Sequence, residues 1–254
     1  MKDRIERERE FHDNRFATDG GARPSDRFYA ITQASSTQFR RRVLELARDA
    51  DVLEYGCGLG SIAFEAAPIA RHVTGIDISP VAIAHSRATC EAAGLHNVSF
   101  GVANAEATGF PDASFDLIIG SGILHHLNLD ASYPELARLL RPGGRAVFSE
   151  PLGHNPAINL YRKRTPDERT SDEHPLLMRD FDAARKYFRN VDVSFFHLAT
   201  LAAIPLRSTP PFAGAVRLGD AFDRLLFRVV PAARRYAWLC VIELAGPTTA
   251  VASG

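Results

Sequence analysis

The 254-residue sequence predicts an α/β fold: a doubly wound, mostly parallel seven-stranded sheet, with helices before it and an insertion in its carboxyl-terminal part. Three observations predict it. Between Asp51 and Glu150, short apolar runs alternate with helical patterns, the mark of βαβ units. A glycine turn, Gly56, Gly58 and Gly60, closes the first run, where bare backbone lets a ligand approach closely. The run "FDLIIGSG" is apolar almost throughout, as a strand covered on both faces must be.

In order, "DVLEYG" is the first strand, "SIAFEAAPIA" a helix and "HVTGIDIS" the second strand. "PVAIAHSRATCEAAG" is a helix that opens after Ser79 with Pro80 at its first position and stops at Gly94. "NVSFGVAN" is the third strand and "FDLIIGSG" the fourth; "YPELARLL" is a helix, "RPGG" a turn and "RAVFSEP" the fifth strand. Residues 1–50 read as two polar helices carrying Phe11, Phe16, Phe28 and Tyr29, placed where a lid folds over the sheet's carboxyl edge. "GHNPAINLYRKRTPDERTSDEHPLL" has no clear period and many turn formers, which predicts a long irregular insertion. "DFDAARKYF" returns to helix, "NVDVSFFHLATL" to strand, "GDAFDRLLFRVVP" to helix and "YAWLCVIELA" to the last strand. The expected organisation is a lid over 1–50 and a ligand-binding core over 51–151. Residues 152–254 then hold a substrate cap and the last two strands of the same domain.

Thirty basic and thirty acidic residues cancel, so no overall field draws in nucleic acid. "MKDRIERERE" lacks the apolar core of a secretory signal, and the expected compartment is the cytoplasm. "LATLAAIPL" is too short to span a bilayer, so no stable membrane insertion is expected. Cys57, Cys90 and Cys240 are odd in number and widely spaced, which predicts reduced, buried thiols and neither a disulfide framework nor a structural zinc site.

The glycine spacing is GxGxG; Ser61 stands where the dinucleotide fingerprint has its third glycine, which disfavours a nicotinamide or flavin. Asp77 closes the second strand seventeen residues after Gly60, where a carboxylate can accept both hydroxyls of an adenosine ribose. With "VLEYGCGLG", "GIDIS", "ANAEATGFPDASFDLIIGSGILHHL" and "LLRPGGRAVFSEP" in this order, residues 50–151 resemble the Rossmann-like class I S-adenosylmethionine-dependent methyltransferases of the small-molecule type.

The resemblance implies roles position by position. Glu54 holds the amino group of the methionine part, directly or through water, while the Gly56, Gly58 and Gly60 turn packs against ribose and homocysteine. Asp77 takes the ribose hydroxyls and Ile78 covers one adenine face. Asn104 stands where the family usually has aspartate, and its amide oxygen can accept from the adenine amino group. The Ala105 amide donates to an adenine nitrogen, and Gly120 and Ser121 line the methionine moiety with main-chain groups. Glu106 is expected to be a solvated loop residue.

Methyl transfer from a sulfonium is an in-line displacement that needs an aligned, unprotonated acceptor. Histidine meets the requirement for a base near neutral pH without special tuning. In related enzymes the first residue of the pair in "LHHL" faces the acceptor, which makes His125 the expected base and His126 its support. Phe11, Tyr29, Phe195, Phe196 and Trp238 are candidate walls for the acceptor. Glu150, His154 and a second candidate base, His174, are further candidate contacts. Arg162, Lys163, Arg164 and Arg169 leave room for an acidic acceptor, with Arg162 and Arg164 as its contacts. Glu150, His154, Asp172, Glu173 and His174 are metal-ligand types, but loop carboxylates are usually solvated, and Gly122 and Pro151 break the pattern of metal-dependent catechol enzymes. No metal is expected.

The expected activity is metal-independent O-methylation of a small, partly apolar metabolite of the specialised natural-product kind, by a monomer or homodimer, leaving S-adenosylhomocysteine. Methylation of nitrogen, carbon or a carboxylate, on a small molecule or peptide, and non-catalytic cofactor binding, are the alternatives.

Overall fold

The computed structural model describes residues 3–19, 26–166, 170 and 172–248. The predicted strands of the core are present: β1 (Asp51–Tyr55), β2 (His72–Asp77), β3 (Val98–Val102), β4 (Phe115–Ser121) and β5 (Leu140–Pro151). With β6 (Phe188–Phe196) and β7 (Leu239–Pro247) they form one seven-stranded sheet in the order β3-β2-β1-β4-β5-β7-β6. Only β7 runs antiparallel, against both β5 and β6. The strand order reverses between β1 and β4, and ligands of such sheets bind beyond the carboxyl ends at that point.

Side chains alternate across a strand, so a strand buried on both faces needs apolar residues at every position. Leu53, Ile118 and Phe148 pack on one face with Leu136 of α6 (Leu129–Leu139). Val52, Leu117, Ile119 and Val147 pack on the other with Phe39 and Val43 of α3 (Gln33–Ala47) and Ile83 of α5 (Pro80–Ala92). α5 begins as its sequence dictates, with the Ser79 hydroxyl accepting from the Ala82 amide at 3.1 Å and Pro80 at the first position.

Several elements differ from the sequence reading. Among the described residues three helices precede β1: α1 (Arg4–Asp19), α2 (Asp26–Tyr29) and α3. The helix after β1, α4 (Ser61–Ala66), stops short of the predicted end at Ala70, and "RPGG" is absorbed into the start of β5. The insertion contains a helix, α7 (Pro156–Arg164), capped by the Asn155 side chain, which accepts from the Ala157 and Ile158 amides at 3.0 and 3.1 Å. α8 (Met178–Ala184) follows. β6 ends at Phe196, short of Leu201, because His197 takes a left-handed φ of 64°. The amides of Leu198, Ala199 and Thr200 then bond the Asp223 carboxylate in place of a neighbouring strand. α9 (Phe212–Val229) begins seven residues before the predicted start at Gly219. A side chain at Gly219 would sit 2.8 Å from the Thr200 Cα, so close packing explains this glycine inside a helix. Among the described residues no helix is long and apolar enough to cross a membrane.

Candidate active site at the carboxyl edge of the sheet

A cavity of about 470 Å³ lies at the switch point. Its floor includes Glu54, Gly56 and Gly58 after β1, Asp77 and Ile78 at the end of β2, and Ser121 at the end of β4. α1 lies across it and contributes Arg4, Glu8, His12 and Phe16.

Glu54 is buried, and its Oε2 accepts from the Ala63 amide at 2.9 Å. Burial pushes its pKa up to about 8 against the pull of that amide, and the nearby Asp77 adds to the rise. Gly58 adopts φ 49°, which lets its amide donate to Asp77 Oδ2 at 2.9 Å. The other oxygen of Asp77 accepts from the Ser79 amide at 2.8 Å. Each oxygen thus keeps an acceptor site for a ligand hydroxyl. Gly60 is not on the cavity wall; it begins α4 against the Phe100 ring, which a Cβ would approach to 2.9 Å. Gly120 is likewise behind the wall, packed between Ile123 and Phe148, and Ser121 alone of that pair lines the cavity.

Asn104, Ala105 and Glu106 form the far wall. The Asn104 amide oxygen accepts from the Glu106 amide at 3.0 Å, which folds this loop into a tight turn. Glu106 is not the solvated residue expected: it pairs with Arg4 and accepts from the Asn128 amide at 2.7 Å, tying α1 to the adjoining loop.

The two histidines are unequal, in the reverse of the expected sense. Leu124–His126 form a single 3₁₀ turn after Gly122. Glu150, fully buried on β5, accepts from the Ile123 and Leu124 amides at 2.9 and 2.8 Å and contacts His125 Nδ1 at 2.7 Å. His125 therefore faces the protein interior, its Nε2 3.7 Å from Glu173, and it is His126 that lines the cavity. Glu150 braces this turn; it does not line the cavity. Burial pushes Glu150 up to about 7, opposed by the amides of Leu124 and Ile123. Glu150→Ala is expected to cost about 3 kcal/mol in urea unfolding, because it strands two buried amides and a ring nitrogen. A loss under about 1 kcal/mol would show that the turn stands without it.

His126 Nδ1 lies 3.1 Å from Glu8 Oε2, without the angular alignment of a hydrogen bond, and its ring meets His12 edge-on at 5.2 Å. Burial pushes His126 down to about 4, helped by His125 and opposed by Glu8. Glu8 is buried although it sits on a polar helix. Burial raises its carboxyl, but His12, His126 and Thr170 outweigh this and hold it well below the usual range. Near pH 7 the site thus holds a carboxylate beside a neutral imidazole. Sequence reasoning missed Glu8 and His12; their signal was an i, i+4 pair of a carboxylate and an imidazole in "EREREFHD". Two triplets, Glu8 with His12 and His126, and His125 with His126 and Glu173, place donor atoms within 4.8 Å of one another. Both include His126, and of the loop residues weighed from the sequence only Glu173 takes part.

Other candidates lie elsewhere. Phe11 packs against His12 at 5.5 Å, and Tyr29, half exposed, against Trp238 at 5.4 Å; neither lines the cavity. Phe195 packs against Phe181, and Phe196 on the opposite face of the sheet. Arg162 bonds the Leu152 carbonyl and Asn159 within the α7 region, and Arg164 is exposed at the end of α7. Arg169 lies outside the described residues. His154 lies outside the cavity wall, and its Nε2 accepts from the Met178 amide at 3.4 Å. His174 donates its main-chain amide to the His125 carbonyl at 2.8 Å and borders a separate depression with His126 and Asp172. Asp172 is itself held by Arg7 of α1 through two 2.9 Å bonds.

The family model described as "Methyltransferase domain" matches residues 52–144. The aklanonic acid methyltransferase DauC of Streptomyces sp. (strain C5) is 34% identical over 140 residues, 48% of this chain and 64% of that protein. The nocamycin O-methyltransferase of Saccharothrix syringae is 33% identical over 138 residues, 50% of this chain and 49% of that protein. The chain thus spans about half to two thirds of the length of these relatives. The solved phosphoethanolamine N-methyltransferase 2 of Haemonchus contortus, in complex with S-adenosyl-L-methionine, superposes with a TM-score of 0.64 at 16% identity, covering 94% of this chain and 60% of that one. Sheet order, glycine turn and matched span together identify residues 52–144 as a methyltransferase domain of the class I, S-adenosylmethionine-dependent family.

Proposed function

We propose that the chain binds S-adenosylmethionine in this cavity and moves its methyl group to an oxygen of a small, partly apolar metabolite, leaving S-adenosylhomocysteine. The observation that carries the reading is that Glu54, Asp77 and His126 share one cavity under α1. The donor set fits the cofactor: a buried carboxyl bonded to one main-chain amide suits a cationic amino group, and the acceptor sites left on Asp77 suit ribose hydroxyls. Ile78 and the Asn104–Ala105 turn would hold the adenine, and Ser121 the methionine part. α1 acts as a lid that completes the wall.

When bound, S-adenosylmethionine supplies a methyl group on positively charged sulfur, open to in-line displacement. The protein aligns the acceptor and excludes water, which can provide much of the acceleration. His126 takes the proton of the acceptor hydroxyl; the Glu8 carboxylate, 3.1 Å from Nδ1, favours the tautomer protonated there, which leaves the Nε2 lone pair to act as base. A base held down to about 4 matches an acidic hydroxyl, such as a phenol or enol, better than an aliphatic alcohol. The nocamycin relative's name supports oxygen as the acceptor atom.

Incubation with labelled-methyl cofactor and metabolite extracts, followed by mass identification of the product, tests the proposal. An O-methylated product is expected. A methylated nitrogen or carbon would contradict the acceptor assignment, and binding with no transfer across a broad panel would contradict catalysis.

The cofactor's affinity is expected to rise with pH from about 6 to about 8. Burial keeps Glu54 largely protonated below about 8, so pairing with an ammonium group releases a proton, and lower pH opposes that release. Calorimetry in buffers of different ionisation enthalpy would register the proton; a pH-independent affinity with no proton release would mean that Glu54 is not the partner.

A further inference from the structure

β6 ends and β7 begins at the carboxyl edge of the sheet, where Phe196 pairs with Leu239 and Leu239 with Pro151. The intervening excursion, residues 197–238, therefore stands on the same edge as the cavity. Its longest element is α9, which seats Val216, Asp223 and Phe227 in the protein. Successive residues turn about 100° around a helix. Leu218, Phe222, Leu225 and Val229 consequently form a stripe on the side opposite the seated residues, and they are 74%, 54%, 61% and 67% exposed. Val230 and Tyr236 continue the apolar surface beyond the helix.

Between the stripe and the seated face run Arg217, Arg224 and Arg228, all exposed, and Arg207 and Arg235 add charge at either end. The acidic residues of the excursion, Asp220 and Asp223, both face inward: each carboxylate bonds the Thr200 hydroxyl. A neutral chain thus carries a segregated surface of arginines around exposed aliphatic and aromatic groups. No acidic side chain of this excursion faces outward to pair with the arginines of a second copy, so self-association through the face would bring like charges together. An occupant must be apolar in depth and anionic at its surface.

We propose that the outer face of α9 is a docking surface for an anionic lipid bilayer, lying in the headgroup region with its apolar stripe inward and its arginines on the lipid phosphates. Docking presents the cavity edge to the membrane, where apolar acceptors concentrate. This is peripheral binding, and it does not depend on the transfer chemistry proposed above.

Cosedimentation of the full chain with vesicles tests it, using equal parts phosphatidylglycerol and phosphatidylcholine against phosphatidylcholine alone. Binding to the anionic vesicles at least tenfold tighter than to the neutral ones is expected, with a marked loss in 0.5 M salt. Arg224→Gln with Arg228→Gln should weaken it about thirtyfold, as two charges leave the surface, and Leu225→Gln with Val229→Gln at least tenfold. Both variants should keep the wild-type circular dichroism and S-adenosylmethionine affinity, which separates a failure of docking from a failure of folding or of the cofactor site. Absence of vesicle binding, equal binding to both compositions, retention only by a soluble polyanion such as heparin, or concentration-dependent dimerisation abolished by Leu225→Gln and Val229→Gln would each overturn the proposal.

Discussion

His126→Ala is expected to lower turnover with the true acceptor by about 10² to 10⁴-fold, the usual worth of a positioned acid–base group, while the affinity for S-adenosylmethionine stays within about threefold. The split follows from where the ring sits. His126 lines the cavity beside Glu8 of α1 and is not among the proposed cofactor contacts, so its loss removes the proton acceptor and leaves those contacts in place. His125→Ala should instead act through stability, because that ring is held inside by Glu150 and Glu173. The pH profile supplies the sign. Burial holds His126 neutral down to about 4, so turnover at saturating cofactor should be flat from about pH 6 upward and fall as pH drops towards 4. Protonation of His126 in the unfolded chain, at the ordinary histidine value near 6.5, also withdraws stability as pH falls through that window. Stopped-flow turnover and thermal unfolding across pH 4–8 separate the two losses. If turnover of His126→Ala matches wild type on an O-acceptor, the base assignment is wrong.

Asp77→Ala should show the opposite pattern, a dissociation constant for S-adenosylmethionine raised about 10² to 10³-fold with turnover at saturating cofactor nearly kept. Hydrogen bonds to a charged group contribute about 1.5–3 kcal/mol each, and two ribose hydroxyls would be lost together. The carboxylate also fixes the Gly58 and Ser79 amides, so the glycine turn loosens as well. Titration calorimetry reads the affinity directly. An unchanged dissociation constant would place the ribose elsewhere.

Much of the fold was legible because the core strands obey a local rule. Residues such as Val52, Leu53, Leu117, Ile118 and Ile119 are buried on alternating faces, and a continuous apolar run between turn signals states this without reference to the rest of the chain. The start of α5 was equally local, since Ser79 and Pro80 are its cap and first residue. α7 carried the same signals in Asn155 and Pro156, but only Ile158 of its residues is buried, so no apolar period marked the helix.

The site was legible in part. Glu54, Asp77 and the Asn104–Ala105 turn stand at or just after strand ends, and all of them line the cavity. The order of the histidines does not, because Glu150 on the next strand decides which ring turns inward. Nor could Glu8 be read from its own helix: its burial depends on His126 and Thr170, 118 and 162 residues further along the chain.

The measurement that bears most directly on the shared cavity is acceptor-dependent release of S-adenosylhomocysteine, followed in parallel for wild type, Asp77→Ala and His126→Ala across a series of cofactor concentrations. Release by wild type, restored in Asp77→Ala by excess cofactor and not restored in His126→Ala by any amount of it, is the predicted result. Restoration of both variants by cofactor, or of neither, would contradict one cavity with a cofactor side at Asp77 and a proton-accepting side at His126.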